Sequence, residues 1–562
     1  MSGNFIKDSS KEDFPTVQNP SAPKVASENN AGIESLRATI KVMVDGLEVA
    51  VPKGETVLWA LKQVGIEIPH FCYHHELSVA GNCRMCQVKL AGVPKLVLAC
   101  CTPVSEGMKI STHKTSPEVA DAQRETLEFL LINHPLDCTI CDQAGQCKLQ
   151  DYYLQFSSEL SRFSERREVG VKAEVLGEEV IYDSERCVNC TRCVRFCNEI
   201  TKTSELGVFN RGDKAVIGIF PSHPLNNPFS GVVCDLCPVG ALTHRRWRFN
   251  SRSWQTQQVK TVCPGCATGC VVSVALKDNK IVSVRGVETE SDSNHSFLCN
   301  EGRYGFSRFQ PVERLTMPMI KEILNYEMLG LERLKSKLSK LRQTYQGENA
   351  MFISPFLTLE ELEVVLAFAR DVLGLEPASD NLVLTPHARK LTELEQILIS
   401  PNYAPNLKAA EIFGLIKKGQ NITWLLEQRY QALLRKVRNK KISKLVVVGD
   451  YAVCSKDIDS ELVAGTLFAE VSVQTSARPV QAKNISTPPS VRQFPPSAGQ
   501  LNFGALHLGT RAFCEIVLPS RTVLEKTGTL INIVGVEHKL LPLFTPPAGC
   551  LDDSEWLSYI KN

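Results

Sequence analysis

No apolar run in the 562-residue sequence approaches the ~18 residues that a membrane-spanning helix requires, so no helical span is expected. Charge of one sign is also missing. Sixty-three Lys and Arg stand against 61 Asp and Glu, so nothing draws the whole chain toward nucleic acid or an anionic membrane. One local basic stretch, HRRWRFNSR at 244–252, has no nucleic-acid motif around it and reads as a surface or interface segment. The opening MSGNFIKDSSKEDFPTVQNP lacks an apolar signal core, and its acidic residues argue against a transit peptide, so a cytosolic, bacterial chain is expected. Neither G-x-G-x-x-G nor G-x-x-x-x-G-K-[ST] occurs, which leaves nucleotide binding without sequence support.

What the chain has is cysteine. There are 21, and 18 of them fall in four groups between Cys72 and Cys299; only Cys454, Cys514 and Cys550 lie beyond. A reducing compartment disfavours disulfides, so grouped cysteines read as metal sites. The length suggests roughly three to five domains, and a 43% hydrophobic content suffices to bury their cores.

Residues 1–36 are polar and aperiodic and read as a flexible tail. TIKVMVDGLEVAV (39–51) alternates apolar residues around Asp45-Gly46, a hairpin signal. A helix follows, with Thr56 as cap, Leu58, Leu61 and Val64 on one face and Gly65 at its exit. This layout predicts a small ferredoxin on a mixed sheet over 37–115. SPEVADAQRETLEFLLIN (116–133) predicts a second helix, capped by Ser116 with Pro117 in its first position. Past Cys299, strand patterns such as AMFISPF and KLVVVGD alternate with amphipathic helices at LEELEVVLAFARDVLG and around 422–438, an α/β pattern.

Four constellations carry the chemistry. Cys72, Cys83, Cys86 and Cys100 have the long loop, Cys-x2-Cys and distant fourth cysteine of plant-type two-iron ferredoxins, with Cys101 as an alternative to Cys100. HPLDCTICDQAGQC offers His134, Cys138, Cys141 and Cys147; zinc or a cluster would accept that set, and its neighbours favour a cluster. Cys187, Cys190, Cys193 and Cys237 resemble one half of a two-cluster ferredoxin, leaving Cys197 and Cys234 as buried thiols without a cluster. Cys263, Cys266, Cys270 and Cys299 resemble the four-iron domain that opens molybdopterin oxidoreductases, with a zinc ribbon as the bland alternative.

In this order, HPLDCTICDQAGQCKLQD, CVNCTRCVRFC and CPVGAL resemble the large iron–sulfur subunits, of the 75 kDa type, of respiratory complex I, the bacterial NADH:quinone oxidoreductase. SRSW (251–254) is similar to the Ala-Arg-Pro-Trp-Glu stretch of that family, with Gln255 in place of Glu, and IVLPSRTVLEKTGTLIN (516–532) is similar to a segment near its C-terminus. The resemblance implies a multidomain α+β and α/β protein. Its parts would be a flexible tail, a β-grasp 2Fe-2S domain (37–115), a 4Fe-4S domain with one histidine and three cysteine ligands (116–157), a 4Fe-4S ferredoxin-like domain (158–256), a molybdopterin-oxidoreductase-type 4Fe-4S domain (257–312) and a shortened molybdopterin-oxidoreductase-like domain (313–562). It implies one 2Fe-2S and three 4Fe-4S clusters, without molybdenum. Glu301 in CNEGRYG, where formate dehydrogenases have Lys, would oppose a phosphorylated pterin. NADH, FMN and quinone would be bound by partners: a flavin and NADH-binding subunit, a small 2Fe-2S subunit and a quinone-proximal iron–sulfur subunit. The chain would be an oxidoreductase component with no complete substrate site, peripheral on the cytoplasmic side of the plasma membrane, touching the membrane only through the complex and binding no nucleic acid. The competing readings are an electron-transfer subunit of an NAD-linked hydrogenase or formate dehydrogenase, and a zinc-bearing interaction scaffold.

Overall fold

The computed structural model describes residues 38–157, 161–287, 296–306, 313–314, 316–322, 325–328, 330–336, 348–386, 390–403, 405–439, 441–449, 467–470, 473–474 and 516–561. The tail 1–36, Cys454 and Cys514 lie outside the described residues. The chain forms two compact units, divided between Gln123 and Arg124.

In the first unit, strands β1 (Thr39–Val44) and β2 (Leu47–Pro52) pair antiparallel from Thr39↔Pro52 to Val44↔Leu47. Period-two alternation turns Ile40, Val42 and Val44 into the core. Asp45 and Gly46 both take positive φ, 47° and 89°, the backbone of a tight hairpin turn whose twist matches its strands. The Asp45 carboxylate then accepts from the Thr112 amide (2.8 Å) and hydroxyl (2.6 Å), tying the turn to the end of the domain. Helix α1 (Val57–Gln63) starts where the Thr56 hydroxyl accepts from the Trp59 amide at 3.3 Å. Gly65 leaves it at φ 67°. Strands β3 (Gln87–Leu90), β4 (Val97–Leu98) and β5 (Lys109–Ser111) complete a sheet of order β2-β1-β5-β3-β4, in which only β1 and β5 run parallel. Val42, Val51, Leu61 and Val88 share its core. This is the mixed sheet plus helix that the hairpin signal predicted. Helix α2 spans Pro117–Leu131, with Pro117 in its first position.

The second unit opens on the His134 loop and helix α3 (Lys148–Phe156). Strands β6 (Glu174–Val175), β7 (Val180–Tyr182) and a later strand, Leu242–His244, form a small sheet around two short helices, Arg192–Arg195 and Val232–Leu236. A three-stranded meander follows: Gln257–Val262, Val271–Lys277 and Lys280–Gly286. Beyond it lies a seven-stranded sheet ordered Asn325–Met328, Met319–Glu322, Ile516–Pro519, Leu467–Glu470, Ile442–Val448, Glu348–Ile353, Leu382–Leu384. Its last five strands are parallel and the two at the other edge antiparallel. Helices Leu359–Leu373 and Asp553–Lys561 pack on one core with Met351, Val446 and Leu518. The meander shares a core with residues far along the chain: Val262, Cys270 and Val272 pack with Val523, Leu530 and Leu540. The fourth cysteine loop is thereby built into the C-terminal part of the fold. No helix among the described residues is long and apolar enough to cross a membrane.

Candidate metal centres

The first set occupies two loops of the β-grasp unit. Cys72, Cys83, Cys86 and Cys100 are all buried. Cys72 interacts with Cys100 and Cys83, and Cys86 with Cys100, so the four side chains lie beside one another. The Phe71 amide donates to the Cys83 sulfur at 3.5 Å. Arg84 sits at φ 58° inside the Cys-x2-Cys, a left-handed conformation that costs a non-glycine residue of order 1 kcal/mol and collects at functional loops. Cys101 is exposed, its sulfur turned toward the Leu98 carbonyl at 3.7 Å, so Cys100 is the member of the pair that joins the set.

His134, Cys138, Cys141 and Cys147 line one cavity of about 900 Å³ with Arg186 and Gly240. Burial, reinforced by the Arg186 charge, lowers the His134 pKa to about 4, so the ring is neutral at pH 7, the form that coordinates metal. Its Nδ1 is buried without a hydrogen-bond partner, an atom that an added ligand would satisfy. The basic stretch 244–252, expected as a surface or interface segment, lies largely at the surface and straps this loop. Arg252 donates to the Cys141 carbonyl at 2.8 Å and to that of Thr139, Ser253 Oγ donates to the Ala144 carbonyl at 2.9 Å, and the Phe249 amide reaches Asp142 at 3.0 Å. A Cβ on Gly145 would lie 2.9 Å from the Trp254 ring, so the SRSW stretch packs against the loop. Gln255 caps the Arg252 amide (3.3 Å) and receives Lys277 at 3.1 Å.

Cys187, Cys190, Cys193 and Cys237, the third set, line a second cavity with Tyr182, Val188 and Ile217. Asn189 and Thr191 hold φ of 47° and 59°, turning the loop so that the Asn189 amide reaches the Cys187 sulfur at 3.4 Å. Burial pushes the Cys187, Cys190 and Cys237 thiols up to about 11, so these sulfurs ionise at neutral pH only against a positive centre. Cys197, in a π-helical turn (Phe196–Ile200), and Cys234 are buried and do not line this cavity. Cys263, Cys266, Cys270 and Cys299, the fourth set, line a further cavity, where Gly265 and Gly302 amides donate to Cys263 and Cys299 sulfurs at 3.4 and 3.3 Å. Glu301 lines it too. Arg303, fully buried, pairs with Asp235 (Nη1–Oδ1 3.0 Å) and donates to the Val284 carbonyl at 3.0 Å, joining the helix after Cys299 to the helix before Cys237. Burial pushes the Asp235 carboxyl up, and the Arg303 charge and the His244 contact together outweigh it, holding the group well below the usual range. The Cys299-x3-Arg303 spacing is part of the motif read from the sequence, but its partner Asp235 was missed, as was Arg186, which no local pattern marks.

Among the described residues no three His, Cys, Asp or Glu side chains converge on a single ion. The donors of the last three sets stand around cavities, and buried sulfur with amide donors is the environment that iron–sulfur ligands require. The residues fit the group.

Four sequence families match in the same order. Residues 37–115 match a 2Fe-2S iron–sulfur cluster binding domain, and 123–162 the NADH-ubiquinone oxidoreductase-G iron–sulfur binding region. Residues 177–243 match the ferredoxin-like domain of NADH-quinone oxidoreductase subunit 3, and 256–310 the molybdopterin oxidoreductase Fe4S4 domain. The NADH-ubiquinone oxidoreductase 75 kDa subunit of Reclinomonas americana is 36% identical over 437 residues, covering 76% of this chain and 61% of that protein. The chain is a homologue of these large iron–sulfur subunits. The G-type subunits of NADH-quinone oxidoreductase from Streptomyces coelicolor and Rickettsia felis are each 37% identical, over 282 and 324 residues; these cover 50% and 58% of this chain and 33% and 48% of those proteins. The chain thus spans between one third and about three fifths of the length of these relatives. A solved chain of an NAD+-reducing [NiFe]-hydrogenase aligns over 38% of this chain and 91% of its own, at 24% identity and a TM-score of 0.34, too loose to carry an argument.

Proposed function

We propose that the chain is the electron-carrying iron–sulfur subunit of an NADH:quinone oxidoreductase, holding one 2Fe-2S and three 4Fe-4S clusters. The ligands would be Cys72, Cys83, Cys86 and Cys100 for the first; His134, Cys138, Cys141 and Cys147 for the second; Cys187, Cys190, Cys193 and Cys237 for the third; Cys263, Cys266, Cys270 and Cys299 for the fourth. The observation that carries this reading is the gathering of four donor sets in family order, the last three each lining one cavity, with most of the sulfurs buried and Cys138 exposed. Bound clusters would supply one-electron chemistry; the protein's own work is to exclude water, fix the ligands and set the local charge. NADH, FMN and quinone would sit on partner subunits, on the cytoplasmic side of the membrane. Exposed Phe129, Leu136, Ile140 and Leu154 around the His134 segment form an apolar surface suited to such partners.

Iron and sulfide analysis of anaerobically prepared protein tests this directly. About 14 iron atoms per chain, without molybdenum, are expected. Stoichiometric zinc in place of iron would make the chain a scaffold, and molybdenum or tungsten in proportion to protein would make the C-terminal part an enzyme. In the same preparation, His134→Ala should remove or alter one four-iron paramagnetic signal and leave the two-iron signal intact. An unchanged set of signals would remove His134 from the ligands.

A further inference from the structure

Arg186 immediately precedes Cys187, yet its side chain belongs to the neighbouring set. It lines the same cavity as His134, Cys138, Cys141 and Cys147. Its Cδ would lie 3.8 Å from a Cβ built on Gly240, where that Cβ would also overlap the Cys141 sulfur, so Arg186, Gly240 and Cys141 meet at one seam. Only 3% of the residue is exposed. Its Nη2 and Nε donate to Asp137 Oδ2 at 2.8 and 3.2 Å, and Asp183 Oδ2 stands 3.4 Å from Nε. Lys172 Nζ reaches the same Asp137 oxygen at 2.6 Å and Glu185 at 2.7 Å. A guanidinium costs several kcal/mol to take out of water, and here the two carboxylates offset that while fixing the group in one place.

The placement has an electrical consequence. A fixed positive charge beside ligands that receive an electron favours the reduced state, because reduction makes that site more negative. Asp137, one residue ahead of Cys138, acts with the opposite sign. Resting on the ligand reading above, we propose that Arg186 is a positioning residue that raises the reduction potential of the centre held by His134, Cys138, Cys141 and Cys147. It does so by holding a charge at the seam where the third set's Cys237–Gly240 loop meets Cys141.

The test is a potentiometric titration of the complete, cluster-loaded protein, followed by paramagnetic resonance, on paired variants of opposite sign. Arg186→Gln should lower the reduced-to-oxidised ratio of the His134 centre about tenfold at a fixed potential, a midpoint about 59 mV more negative for one electron. Asp137→Asn should move it the other way, and Arg186→Lys, which keeps the charge, should restore most of the ratio. A midpoint that does not move, or moves in the same direction in both variants, overturns the proposal. Should Arg186→Gln lose the centre altogether, Asp137→Asn decides alone: a positive shift supports the proposal and any other result overturns it. Absence of a four-iron signal in the unaltered chain would instead sink the ligand reading and this proposal with it.

Discussion

Gly240→Ala is expected to cost the protein its His134 four-iron centre while leaving the apoprotein nearly as stable as before. The added methyl would overlap the Cys141 sulfur and approach Gln143 Cβ to 3.3 Å. Without metal, Cys141 can escape by changing rotamer, at a cost of order 1 kcal/mol. As a ligand it cannot, because metal–sulfur distances tolerate only about 0.2 Å. Iron content should therefore fall from about 14 to about 10 per chain, with loss of the signal that His134→Ala also affects. Thermal unfolding of the apo forms should differ by little. Full iron with an unaltered spectrum would mean that Cys141 is no ligand, and a collapse of the apoprotein would mean that Gly240 serves packing alone.

The contrast between Cys141 and Gly240 shows what the sequence displays and what it hides. Ligand sets were legible because a cysteine loop is a local device: the left-handed turns at Asn189 and Thr191 that aim amides at sulfur lie within the same few residues as the thiols. The Asp45-Gly46 hairpin, the Thr56 cap and the helix at 422–438 were legible for the same reason, each being decided by neighbours along the chain. The choice of Cys100 over Cys101 was not. The two stand side by side in a turn, and only the fold shows that Cys100 is buried while Cys101 is exposed with its sulfur toward the Leu98 carbonyl. The seam was hidden further still. Arg252 clamps a carbonyl 111 residues earlier, and Arg186 grips Asp137 across 49. Nothing in 244–252 announces a strap, because an arginine bound for solvent and one bound for a buried carbonyl read alike. The α/β pattern of the C-terminal part was visible, but the two antiparallel edge strands were not, and neither was the core its residues share with Val262 and Cys270.

The largest stability effect should come from Lys526→Met, in the EKTG segment. Lys526 is 4% exposed, and its ammonium lies 2.6 Å from Asp553 Oδ2 and 2.8 Å from Glu361 Oε1. Glu361 belongs to the capping box of helix Leu359–Leu373, accepting from the Thr358 amide at 2.9 Å, and Asp553 opens helix Asp553–Lys561. One cation thus holds two helix starts together. Methionine fills the space but leaves two buried carboxylates facing each other, and removing one partner of such a buried group costs about 3–5 kcal/mol. In a part of this size that corresponds to a fall of roughly 10 °C in the unfolding midpoint. The loss should also depend on pH with a definite sign. Burial pushes the Asp553 carboxyl up, to about 6, against the pull of Lys526. A raised folded pKa favours the protonated form, so its contribution is present below the ordinary carboxylate range and is lost as pH rises through the folded value. Without Lys526 the opposing charge is gone and the upward push grows. The variant should therefore lie closer to the unaltered protein at pH 5 than at pH 8, measured by thermal melts at both. A deficit that is equal at the two values, or larger in acid, would show that the ammonium is not what neutralises Asp553 and Glu361.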